Sequence, residues 1–317
     1  MTQVTASPPL VRSDRRPAAR RRRQPLAPYA LLAPTLTLLA VLFVLPGLYN
    51  LWLSLHKVTP YDALGDGTFV GLDNFRAVLG SPQTWVNGRN TVVWLTLTTV
   101  VLRIVFGLAL AMLLQASVLR RLRVLGLART IVLLPWMIPP TVAVAAWKWL
   151  LDGRSGLINK LLVNAGLIDQ GIPFLAQTST VWPSIVSILV WRELPFVVIA
   201  FMAGLQAINT DQYEAAAIDG ASGWRTFWYV TLPNLRPVIV IISLMITIGS
   251  FNNFVYVWLT TGGGPGSYTQ VLATQLFTTA FIDNQLGAGA AVGLLMSAVM
   301  VLFAGVYLYV TFRGNDD

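Results

Sequence analysis

Six apolar stretches, at residues 29–55, 90–116, 130–150, 180–208, 238–259 and 287–312, decide what this chain can become. Each is long enough to cross a bilayer core as a helix, which takes about 20 residues at about 1.5 Å per residue. Inside hydrocarbon every backbone N–H and C=O must find a partner within the segment, and a helix provides one. Only 11% of the 317 residues are charged, whereas a soluble domain carries about 25%. The expected fold is all-α: a polytopic membrane protein with six transmembrane helices over residues 29–312. A basic, disordered tail at 1–28 precedes them and a short tail at 313–317 follows. There is no cysteine, which excludes disulfides, thiolate metal sites and a cysteine nucleophile. One histidine, His56, excludes a histidine-cluster metal centre and is expected at the membrane interface.

The 1–28 tail holds Arg12, Arg15, Arg16 and Arg20 to Arg23 against one acid, Asp14. No aromatic or folded platform accompanies these arginines, so nucleic acid is not the expected partner. Positive charge beside a first span holds that end in the cytoplasm. The stretch that follows is too long for a cleaved signal peptide and ends at no small-residue cleavage site. With that end inside, six spans put both termini in the cytoplasm. Of the 22 lysines and arginines, 14 then lie inside, six outside, and two, Arg103 and Arg192, in spans. This is the positive-inside bias, so the net charge of +9 reflects topology rather than an acidic ligand.

Residues 209–237 lie between the fourth and fifth stretches and read as two short helices joined at a glycine. Asn209 or Thr210 can cap the first, with Asp211 in its first turn. Glu214, Ala215, Ala216 and Ala217 continue it with strong helix formers, and Asp219-Gly220 stops it. Ser222 can cap a second turn, which Leu232-Pro233 is expected to close. Two short helices at an angle form a knob whose alanines leave a low surface. Glu214-Ala215-Ala216, Asp219-Gly220-Ala221, Phe227, Leu232-Pro233 and Pro237 resemble the EAA loop of permease subunits of bacterial ABC importers. Within that family the chain is most similar to the sugar branch, the permeases for maltose and glycerol 3-phosphate, over roughly residues 29–312.

The resemblance implies that residues 209–237 are the coupling helix that enters a cleft on an ATP-binding subunit, with Glu214, Ala215, Ala216, Asp219, Gly220 and Ala221 making the contact. It also implies a second homologous permease, two ATP-binding subunits that hold ATP and magnesium, and an extracytoplasmic solute-binding protein. The chain itself would need no cofactor. Other phrases of the same branch are Phe69 to Phe75 (FVGLDNF), Arg129, Pro135, Trp136, Pro139 and Trp147, Gly156 and Asn159, and the glycines and proline at 262–265.

Several residues inside the spans point to chemistry on their own. An intramembrane charge such as Arg103 is a functional candidate by default, although a buried structural partner explains it equally well. The Pro139-Pro140 pair must break the helical ladder of the third span. Arg192 and Glu193 precede Pro195, where a kink is expected. Adjacent helix positions do not face each other, so these two charges are expected to have different partners. Gly249, Asn252, Asn253 and Tyr256 recur at i, i+3, i+4 and i+7, a stripe on one helix face. Such a stripe either allows close helix packing or lines a polar pathway whose amides suit a hydroxyl-rich solute.

No catalytic signal survives inspection. The glycines at 262–266 lack the Lys-Ser or Lys-Thr of a phosphate-binding loop, and the 220–223 segment is one residue short of a nucleophile elbow. The chain has no means of hydrolysing ATP. The function expected from the resemblance is inward translocation of a sugar or sugar-like solute across the cytoplasmic membrane, driven by ATP hydrolysis in a partner. A glycerol-phosphate or other polyol importer is the alternative. A secondary carrier is a poorer fit: Glu193 is the one acid in a span, and no inverted repeat is visible.

Overall fold

The structure, a computed structural model, describes residues 27–62, 67–115 and 123–313. Most of the basic tail, Arg120, Arg121 and the last four residues lie outside the described residues. The chain divides into two units, up to Leu48 and from Tyr49 onward. In the first unit, residues 31–48 are helical and apolar. The following account concerns the second unit.

Among the described residues of both units, five helices are long and apolar enough to cross a membrane: Leu31–Ser54, Pro82–Gln115, Val181–Gln206, Gly223–Phe251 and Leu286–Tyr309. The third expected span is a pair, Leu125–Met137 and Pro140–Leu150, bent by 102°. The cause is local. A residue before proline is driven out of the helical region, and both Ile138 (ψ 129°) and Pro139 (ψ 139°) are extended. Pro140 then opens the next helix, where a missing N–H costs nothing.

Val181–Gln206 runs through Pro195, where the kink is expected, as one helix, so this proline removes one backbone bond without ending it. Other expectations change for equally local reasons. The second turn of the 209–237 element is not closed at Leu232-Pro233. It continues into the fifth span, because a π-helical turn at Phe227–Thr231 precedes the proline and its wider ring of bonds admits the pyrrolidine. The fifth span instead ends at Phe251 and resumes as Val255–Thr261. A short apolar helix, Leu272–Ile282, precedes the last span.

Val181–Gln206 is the central helix, with half of its apolar window buried. Its first half packs Trp182, Ile185 and Leu189 with Leu95, Phe251 and Tyr256. Its second half packs Val197, Phe201 and Leu205 with Leu235, Ile242 and Ile246. Gly107 permits the approach of the second span: a Cβ there would lie 2.7 Å from Val197 Cγ1. His56 ends the first helix in a two-residue antiparallel ribbon opposite Phe69, its ring stacked on Trp52 at 4.2 Å.

The loop after Leu150 is held by one amide. Asn159, 3% exposed, donates to the carbonyls of Asp152 and Ile172 and accepts from the Ile172 N–H, each at 2.9 Å. The Asp152 carboxylate accepts from the Ser155 N–H and hydroxyl and from the Arg154 N–H, which holds it below the usual carboxylate range. That turn is therefore favoured above the ordinary aspartate pKa and loses this support as pH falls through the depressed value. Asn159→Ala removes three buried bonds at about 1 kcal/mol each and is expected to lower the thermal midpoint of the purified protein in detergent. An unchanged midpoint would contradict the role given to this amide.

Candidate functional site

Two helix breaks, at Ile138-Pro139 and at 252–254, leave backbone groups without helical partners. Side chains of the central helix bridge them. Arg192 donates from Nε to the Ile138 carbonyl at 3.2 Å and from Nη1 to Glu193 Oε1 at 2.7 Å. The same Glu193 oxygen accepts from the Tyr256 hydroxyl at 2.7 Å, and the Tyr256 N–H donates to Asn253 Oδ1 at 3.2 Å. Arg192 and Glu193 thus pair with each other, contrary to the expectation of separate partners. The rule that adjacent positions diverge describes Cβ directions. The long arginine stem carries its guanidinium back around the helix surface to its neighbour.

The expected stripe does not form one face, because the helix ends between its members. Asn252 caps the end of the fifth span and donates to the Ile248 carbonyl at 3.0 Å. It borders a cavity of about 390 Å³ with Asn50, Gly289, Gly293 and Ser297. Gly249 and Asn253 border a different cavity of about 290 Å³ with Arg103, Glu193 and Ser250. A Cβ on Gly249 would meet nothing within 4 Å, so this glycine opens a space and does not bring helices together. Tyr256 is 2% exposed and belongs to the Glu193 cluster.

Arg103 is buried beside the same cavity. It donates to the carbonyls of Thr99 and Ile246, to the Thr99 hydroxyl and to Ser250 Oγ. Among the described residues its hydrogen-bond partners are neutral, while Glu193 faces the cavity with it. Arg103 is therefore both a structural donor and a wall of the cavity. Ser250, Thr99 and the Ile138 carbonyl carry no sequence signal of their own. The neighbouring asparagines did carry one, since Asn disfavours helix interiors and favours their ends.

On the other side of the fifth span, Asn209 caps Thr210–Ile218 by accepting from the Asp211 N–H at 3.0 Å. Asp219 ends that helix and Gly220 turns the chain with φ +70°. Ser222 caps Gly223–Thr226. Glu214 is exposed, and Ala215, Ala216, Asp219 and Ala221 line a cleft of about 490 Å³ with Arg225 and Tyr229. Trp224 and Ile218 are 71% and 87% exposed beside it.

This architecture has relatives. The model of the binding-protein-dependent transport system inner membrane component matches residues 103–313, and the chain belongs to that family. A probable ABC transporter permease protein of Brucella suis biovar 1 is 33% identical over 290 residues, covering 92% of this chain and 98% of the relative. The trehalose/maltose transport system permease protein of Thermococcus litoralis is 33% identical over 282 residues, covering 89% and 92%. A chain in the crystal structure of a bacterial alginate ABC transporter, in complex with an alginate pentasaccharide-bound periplasmic protein, superposes with TM-score 0.74 at 23% identity, covering 90% and 94%. At that identity the likeness is one of fold. The chain is an inner-membrane permease subunit of the ABC transporter class.

If Arg192, Glu193 and Tyr256 act as one network, their contributions are not additive. Glu193→Ala strands a guanidinium that is 14% exposed and should cost about 3 kcal/mol. Tyr256→Phe should cost about 1 kcal/mol, and the double variant little more than Glu193→Ala alone. Thermal unfolding of the three purified variants measures this, and strict additivity would refute the network.

Proposed function

We propose that the chain forms half of the translocation pathway of an importer for a sugar or sugar-like solute. The observation that carries this reading is the cavity at the second helix break. It offers an amide, a hydroxyl and an oppositely charged pair of walls, Arg103 and Glu193, in a space of about 290 Å³. Neutral donors and acceptors suit a polyhydroxyl solute. The trehalose/maltose name of one relative supports the same substrate class.

The partners follow from what the chain lacks. It carries no phosphate-binding loop, so ATP and magnesium belong to two ATP-binding subunits docked on the 209–237 element. The second pathway half is a homologous permease, and an extracytoplasmic solute-binding protein delivers the solute to the opposite face. Both termini lie in the cytoplasm, consistent with the distribution of basic residues. ATP-driven closure of the docked subunits moves the 214–221 segment. The fifth span begins within the same element, at Gly223, and the motion is passed along it to the break at 252–254.

The test uses the assembled transporter in proteoliposomes with its binding protein, measuring uptake of labelled maltose or trehalose against phosphate release. Gly220→Pro forces a residue with φ near −65° into a position at φ +70°, and Glu214→Ala alters the docking face. Both are expected to insert normally yet lower solute moved per ATP by about tenfold, the factor for about 1.4 kcal/mol of lost coupling. Wild-type uptake in both variants would sink the proposal.

A further inference from the structure

A further cavity lies on the outside of the helix pair Gly223–Phe251 and Leu286–Arg313, at the end of the membrane nearest the 209–237 element. Its volume is about 300 Å³ and its walls are apolar: Val240, Ile241, Leu244 and Met245 on one helix, Leu308 on the other. Ile241, Met245 and Leu308 are 59%, 54% and 42% exposed, so the groove is open along its length. The Tyr307 hydroxyl crosses its floor, donating to the Val240 carbonyl at 2.7 Å and lying 2.5 Å from Ser243 Oγ. That bond ties the two helices together across the groove.

At the mouth sit Arg236 and Thr311. Arg236 is exposed and, among the described residues, has no hydrogen bond or ion pair, and no carboxylate lines the groove with it. From Arg236 to Met245 the helix rises about 14 Å, close to the depth of one leaflet of a core about 30 Å thick. An unpartnered guanidinium over an apolar slot one leaflet deep matches one kind of molecule. We propose that this groove binds an anionic phospholipid, with one acyl chain along Ile241, Leu244 and Met245 and the phosphate on Arg236 and Thr311. A transmembrane helix of a partner would instead cover Arg236 and leave its charge unpaired in an apolar contact. On the orientation proposed above, the lipid comes from the cytoplasmic leaflet, where anionic headgroups concentrate. The site itself does not depend on which solute is carried.

Native mass spectrometry of the assembled transporter, released from nanodiscs of equal phosphatidylglycerol and phosphatidylcholine, reads this directly. Wild type should retain phosphatidylglycerol in preference to phosphatidylcholine. Arg236→Gln should lower that preference about fivefold, the effect of one basic residue near an anionic surface. Ile241→Trp, which fills the slot, should abolish retention of both lipids. Unchanged retention in both variants would overturn the proposal. Because the chain has no cysteine, a single Ile241→Cys variant provides an independent reading. With benzophenone-maleimide attached to that thiol, photocrosslinking to phosphatidylglycerol supports the site, whereas photocrosslinking to the partner permease would make the groove a subunit interface and refute it. Neither result bears on uptake, so failure here is separable from failure of the importer reading.

Discussion

The arrangement depends on the pairing of Arg192 with Glu193 on the central helix. Two of the spans packed against that helix are broken, and a broken helix in a membrane leaves carbonyls and amides that water cannot reach. The guanidinium satisfies the Ile138 carbonyl at the first break, and the carboxylate holds Tyr256 just past the second. Neither charge would be tolerable alone at this depth. Together they let two irregular segments exist where a regular helix would otherwise be required, and the cavity beside Gly249, Ser250 and Asn253 exists because of the second irregularity.

A transporter needs such weak points. A bundle of unbroken helices packed by aliphatic side chains has one low-energy arrangement, whereas a helix interrupted at 252–254 can move its two halves separately. The fifth span joins that break to the 209–237 element without an interruption between Gly223 and Phe251. Ile218 and Trp224, beyond the start of that span, are exposed.

Legibility followed distance along the chain. Caps, stops and the Pro139 break are short-range events: Asn209 accepts from a backbone amide two residues away, and Gly220 turns the chain where a Cβ would strain it. Those features were visible in sequence and the structure reproduces them. The Leu232-Pro233 stop failed because the preceding π-helical turn, a property of several residues together, decides whether a proline can be admitted. The stripe of Gly249, Asn252, Asn253 and Tyr256 failed because periodicity presumes an unbroken helix. The break sends Asn252 and Asn253 to different cavities.

By itself the sequence determined the class of the molecule: length and hydrophobicity force helices on each apolar stretch, and the 209–221 residues dictate a capped, glycine-terminated helix. It could not determine which charge meets which. Arg192 reaches Glu193 by folding back over its own helix, and Arg103 finds Ser250 across a gap of 147 positions. Such contacts depend on how close two helices lie, and that distance is set by Gly107 against Val197 and by the packing of the central helix. Only the tertiary structure settled them, because a side chain several ångströms long selects among partners that no local pattern brings within reach.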